Sequence, residues 1–218
     1  MNAVAAEILS ADSKVASPPS LMTFEQWVNM DEDVPGEFVD GRIVEEEVPT
    51  VLHEIIVRWL IRTLDVWGAP REYPVFGSEL KLHVARGRGR KPDVSMFPEG
   101  TRFRDAAFLR KPPILVVEVL SRGARDVKRD RIEKSHDYAK FGVKHYWLVD
   151  PDARIFEFLT LGADGRWYQS TDSASEGRIA ITGFDDLVVD LDDLWRAVDS
   201  MIEPPHETKD EIVDDEES

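Results

Sequence analysis

A chain of 218 residues with 42% hydrophobic composition can bury roughly 70% of the surface its unfolded form exposes, enough for one sizeable core and a single domain. The charged fraction of 32% stands beside six Trp, ten Phe and four Tyr, too many large apolar groups for global disorder. With no cysteine, disulfides, thiolate nucleophiles and cysteine-ligated zinc or iron–sulfur centres are excluded, and any metal must sit on carboxylates, carbonyls or His.

Residues 1–20 are small, polar and Pro-interrupted, which predicts a flexible arm. Glu7, Asp12 and Lys14 lie where a secretory signal would be apolar, and no run approaches the roughly 18 apolar residues of a membrane span. A soluble, cytoplasmic protein is expected. Thr23 reads as the N-cap of a short helix with Phe24, Trp27 and Val28 on one side. Between Glu37 and Val44, the pair Asp40-Gly41 separates two short apolar runs and predicts a hairpin, since a type I′ turn needs positive φ at both central residues. Leu52, Ile55, Ile56, Trp59, Leu60, Thr63 and Leu64 recur at three- and four-residue steps, a one-faced helix ending near Gly68-Ala69-Pro70.

Strands are predicted at Tyr73 to Phe76, Glu79 to Val84, Asp93 to Phe97 and Ile114 to Leu120. The last is a continuous, β-branched apolar run, as expected of a strand covered on both faces. A second helix spans Asp126 to Phe141 and closes at Gly142. His145 to Val149 is another buried strand, Ile155 to Leu161 and Trp167 to Thr171 form a meander, and Leu187 to Val198 is a final Leu- and Trp-bearing piece. The order predicts an α/β or α+β sheet carrying helices. The domain is placed at residues 21–202, and the acid-rich, Pro-opened stretch 203–218 is expected to be a disordered tail.

The net charge of −16 argues against nucleic acid, but its distribution does not. Lys81 to Lys134 holds 15 Lys and Arg against 7 Asp and Glu, whereas Glu203 to Ser218 holds 8 acids and one Lys. Inside the basic stretch, Glu118 intrudes on the apolar strand. An ionised carboxylate there is costly unless it is paired or holds a metal. Asp93 begins an earlier strand after Pro92, and if the two strands are neighbours their carboxylates converge at one sheet end. Two such groups, with open positions for water and a phosphate oxygen, describe a Mg²⁺ site, Mn²⁺ being a possible substitute. Asp130, Lys134 and Tyr138, at i, i+4 and i+8, form one helical stripe that can bring an ammonium to the same place. Arg86, Arg88, Arg90 and Lys91 flank the set and alternate with Gly87 and Gly89, which suits either a loop tracking a DNA backbone or only a mobile hairpin tip, and the set points to phosphodiester hydrolysis.

Pro92-Asp93, then Val117-Glu118-Val119-Leu120-Ser121, then Asp130-x-x-x-Lys134-x-x-x-Tyr138, then Gly142-Val143-x-x-Tyr146-Trp147-Leu148-Val149-Asp150-Pro151 resemble the Uma-type restriction endonuclease family of the PD-(D/E)XK nuclease superfamily. Glu37-Phe38-Val39-Asp40-Gly41 and His53 share in the resemblance, which runs from about Leu21 to Asp199. It implies a restriction-endonuclease-like α/β core, a mixed sheet flanked by helices with an added N-terminal hairpin and a C-terminal meander. It also implies Asp93 and Glu118 as metal ligands, the backbone carbonyl of Val119 as a further one, and Mg²⁺-dependent cleavage of DNA. The superfamily's Lys lies two residues after the acid, where this chain has Leu120; Lys134 on the helix matches the family instead. Glu37 reads as a peripheral ligand, an orienter or an ordinary strand-end acid. His53 faces the metal or a phosphate, or is structural; Tyr138 binds a phosphate or packs in the core; Asp130 orients Lys134 or merely pairs with it. Cutting both strands of a duplex predicts a homodimer, and no membrane or organic cofactor is expected. The alternative is a catalytically silent DNA-binding protein or a protein-interaction module on the same fold.

Overall fold

A computed structural model describes residues 21–30, 36–44, 48–121 and 128–203. The expected N-terminal arm, the residues of the acidic tail after Glu203 and the start of the second helix at Asp126 lie outside the described residues.

α1 (Phe24–Val28) opens on a capping box: the Thr23 side chain accepts from the Gln26 amide, and the Gln26 side chain accepts from the Thr23 amide. β1 (Glu37–Val39) and β2 (Arg42–Val44) form the expected hairpin, with Asp40 at φ +48° and Gly41 at φ +81° supplying the two positive angles of its turn. α2 (Val51–Gly68) is N-capped by Thr50 and buries Ile56, Leu60 and Leu64 on one stripe.

Two sheets follow. The smaller has the order β2-β1-β5-β4, where β4 is Leu82–Ala85 and β5 is Arg88–Arg90. β5 lies where the sequence suggested a mobile loop. Gly89 is the reason: a Cβ there would lie 2.4 Å from a ring carbon of Trp27, so only glycine lets the strand pass beneath the indole. The larger, six-stranded sheet has the order β10-β9-β8-β7-β6-β3, with β3 at Val75–Phe76, β6 at Val94–Met96, β7 at Leu115–Val119, β8 at His145–Asp150, β9 at Ile155–Leu161 and β10 at Trp167–Ala174. β7 and β8 pair in parallel and the other neighbours antiparallel, a mixed sheet. The register of β10 on β9 shifts twice, between Gln169 and Thr171 and again before Ala174.

β7 is covered on both faces, as its apolar run predicted. Leu115, Val117 and Val119 join α2 and α4 (Leu191–Asp199) in one core cluster. Val116 and Leu120 join Tyr138, Val143, Tyr146 and Leu148 in the other. Each such side chain contributes about 1.5–3 kcal/mol on full burial. The second helix begins as a π-helical segment, Arg129–Lys134, and continues as α3 (Ser135–Phe141), which Gly142 ends at φ +98°. The expected C-terminal meander is present: β8, β9 and β10 lie side by side in chain order and run antiparallel. β9 and β10 form a hairpin, β11 (Arg178–Ala180) and β12 (Val188–Asp190) make a separate two-stranded sheet, and Leu187 to Val198 is divided between β12 and α4. Asp190 causes the division by capping α4, its side chain accepting from the Asp193 amide. Among the described residues no helix is long and apolar enough to cross a membrane.

Candidate active site

Alternation along β7 places Glu118 on the same face as Val116 and Leu120, toward the helix that follows. Its side chain is 2% exposed. Lys134 Nζ donates to Oε2 at 3.0 Å, and the Tyr138 hydroxyl donates to Oε1 at 2.6 Å. Burial pushes the Glu118 carboxyl well above its ordinary value; Lys134 pulls against this, and the charges of Asp93, Asp130 and Glu37 push it further up.

Asp93 stands one position before β6, whose Val94 pairs with Val117, so the register brings it beside Glu118. Its Oδ2 accepts from the Val119 amide at 2.7 Å, and its Oδ1 lies 3.3 Å from Nε2 of His53, in the first turn of α2. Burial works against a charged His53, but the hydrogen bond and charge of Asp93, helped by Glu54, prevail and raise its pKa. His53 therefore braces Asp93.

Lys134 is almost wholly buried among three carboxylates, at 3.0 Å from Glu118, 3.2 Å from Asp130 and 3.6 Å from Glu37. The π-helical turn carries the Asp130–Lys134 pair, and the hydroxyl of Tyr146 donates to the Asp130 backbone carbonyl at 2.9 Å. Burial raises the Asp130 carboxyl against the pull of Lys134. Glu37 accepts from Arg90 at 2.6 Å and from the Lys91 amide at 2.9 Å. Burial favours its neutral form, but Lys134 and Arg90 outweigh that and hold it below its ordinary value.

Asp93, Glu118, Val119, Asp130, Lys134 and Lys91 line one cavity of about 170 Å³, room for several waters of about 30 Å³ each. The sequence-selected acids and lysine thus meet. The hard oxygen donors of Asp93 and Glu118, with the Val119 main chain beside them, suit Mg²⁺. Among the described residues no group of three or more His, Asp or Glu side chains forms a ready cation cage. Any ion there would rest on the two carboxylates and keep waters.

The basic quartet is dispersed. Arg90 does not face solvent: it is 0% exposed and paired with Glu37 and Asp137, so the expectation that it contacts a DNA backbone is wrong. The strand geometry of β5 turns it inward. Arg88 pairs with Asp40 at 3.0 Å, Arg86 is exposed, and Lys91 lies on the cavity wall 2.8 Å from Glu79. Tyr138 is fully buried on Glu118 and is not placed to bind a phosphate. Arg129, on the cavity wall and 6% exposed, was missed, as was Asp137. Both lie in a charged helix where nothing but position separates inward from outward residues.

Residues 21–191 match the family model Uma2, described as "Putative restriction endonuclease". An uncharacterized protein of Synechocystis is 25% identical over 158 residues, covering 70% of this chain and 88% of that protein. A crystal structure from Anabaena variabilis, described as that of a putative nuclease, matches with a TM-score of 0.61 at 19% identity, over 81% of this chain and 99% of the other. At that identity the likeness is one of fold.

Proposed function

Because this chain belongs to the Uma2 family, we propose that it is a metal-dependent endonuclease hydrolysing DNA phosphodiester bonds. The observation that carries the reading is the convergence of Asp93, Glu118 and Lys134, from three separate elements, on the wall of one cavity. Asp93, Glu118 and the Val119 carbonyl would hold Mg²⁺, or Mn²⁺ in its place. When bound, such an ion lowers the pKa of its water and offsets charge on phosphate oxygens.

The chain's own groups do the rest. His53 and the Val119 amide fix the two oxygens of Asp93, and Tyr138 fixes one oxygen of Glu118. The other Glu118 oxygen orients Lys134, whose ammonium offers a donor to the negative charge that develops on the phosphoryl oxygens. Because Lys134 comes from the helix, Leu120, at the superfamily's usual lysine position, is free to pack in the core. Lys91, at the cavity wall, serves as a phosphate contact. Cleavage of both strands needs two such centres, and a two-fold dimer belongs to this reading.

The test is cleavage of supercoiled plasmid at low salt with Mg²⁺ or Mn²⁺, comparing wild type with Asp93→Ala, Glu118→Ala and Lys134→Ala. Metal-dependent nicking that falls at least about 100-fold in all three is the expected result. A folded wild type that retains DNA on a gel without cutting it would replace the nuclease with a silent DNA-binding protein. Neither cleavage nor retention would leave a protein-interaction role.

A further inference from the structure

Arg90 ends β5 with its side chain wholly enclosed, and its guanidinium is a fork between two elements. Nε and Nη2 donate to Asp137 Oδ2 at 2.9 and 2.6 Å, and Nη1 donates to Glu37 Oε2 at 2.6 Å. Glu37 belongs to β1 of the small sheet and Asp137 to α3. These two acids bracket Lys134: Glu37 Oε1 is 3.6 Å from its Nζ, and Asp137 lies three residues further along the helix. The Glu37 oxygen facing Lys134 is also fixed by the Lys91 amide, so the carboxylate cannot turn without breaking contacts on both sides. Arg90 itself is not among the residues lining the cavity, and its hydrogen bonds and ion pairs go to Glu37 and Asp137, not to Asp93 or Glu118.

A bridge that buries an arginine and two carboxylates is an expensive way to join a sheet to a helix, since well-packed apolar side chains of equal volume hold such places at least as firmly. The planar fork supplies direction, fixing two carboxylates at set angles, which an ammonium on a flexible stem does not. We propose that Arg90 is a positioning residue: acting through Glu37 and Asp137, it locks α3 onto the small sheet so that Lys134 is held against Glu118. The proposal rests on the nuclease reading of the site, and it makes the N-terminal hairpin and β5 part of the catalytic apparatus.

The test uses Arg90→Lys, which keeps the charge but cannot span both acids, alone and combined with Lys134→Met, in the full-length chain. Plasmid cleavage is read as kcat and KM, and exposure of Lys134 is read on metal-free protein by brief acetic anhydride labelling and mass spectrometry. Arg90→Lys is expected to lower kcat about 30-fold with KM within about threefold, to cost less than about twofold more once Lys134 is Met, and to raise Lys134 labelling about fivefold relative to the other lysines. If Arg90→Lys does not fold, the neutral triple variant Glu37→Gln, Arg90→Met, Asp137→Asn carries the same measurements with the same expectations. Independent, additive losses in the combined variant, or unchanged kcat and labelling in a folded one, would overturn the proposal. Should wild type cut no DNA, the nuclease reading falls by itself. Labelling then still decides: unchanged Lys134 exposure in Arg90→Lys removes the positioning role as well.

Discussion

Tyr138 gives a phenol hydrogen to a carboxylate that burial already makes reluctant to ionise. Tyr138→Phe removes that donor without opening much space. It should cost about 1–3 kcal/mol, the range for a buried polar group left unsatisfied, read as a lowered urea midpoint in metal-free buffer at pH 7. A second buried group sets a pH dependence. His145 is held neutral by burial and by Lys144, its pKa lowered to about 4. Between about pH 4 and the unfolded value of about 6.5 the unfolded chain binds the extra proton. Stability from this group is therefore present above pH 6.5 and lost as pH falls toward 4. His145→Leu should lose less stability than wild type across that window, measured by urea unfolding at pH 7 and pH 4.5. At this scale the sequence was legible wherever a residue contradicted its surroundings. Glu118 stood out as an acid in an apolar run, and Lys134 followed from a stripe of helical period. Arg90 was misread because alternating Arg and Gly resemble a solvated loop; nothing local shows that Trp27, more than sixty positions earlier, would lie over Gly89 and turn the neighbouring guanidinium inward.

Elements bounded by their own chemistry were found in place. The Thr23 N-cap of α1, the two positive φ angles at Asp40 and Gly41 and the glycine ending α3 are local signals, and β9 was bounded to the residue. β5 and β11 were missed because Arg88-Gly89-Arg90 and Arg178-Ile179-Ala180 lack the apolar runs that marked the equally short β1, β2 and β6, and both are fixed by their pairing partners. Two glycines separate backbone freedom from space. Gly142 holds φ +98°, and a Cβ there would stand 4.0 Å from its nearest neighbour, on Pro112, so Gly142→Ala should cost about 1–2 kcal/mol from backbone strain alone. Gly89→Ala meets the Trp27 ring and should cost about 1–3 kcal/mol from overpacking. Thermal midpoints of both variants give the comparison. Only Gly89→Ala should also reduce cleavage, because it displaces the strand that ends in Arg90.

Over the whole molecule, a net charge of −16 opposes DNA, while the stretch from Lys81 to Lys134 carries more than half of the 27 basic residues. Binding is then expected to be confined to low salt and to the surface around the cavity. Lys91→Gln should weaken binding evenly across DNA sequences and reduce the slope of log affinity against log salt by about one, checked by fluorescence anisotropy at several salt concentrations. The resemblance carried the mixed sheet and the convergence of its acids, but charge and composition alone did not separate a DNA surface from an ordinary solvated face. The two register shifts in β10 bear on how copies of this chain can meet. An outer strand whose ladder is interrupted twice is bent and unevenly spaced, a poor template for a further strand. Growth of the sheet from one copy into the next is blocked along that border, which guards a β-rich chain against fibre formation and leaves any two-fold pairing to be made through other surfaces.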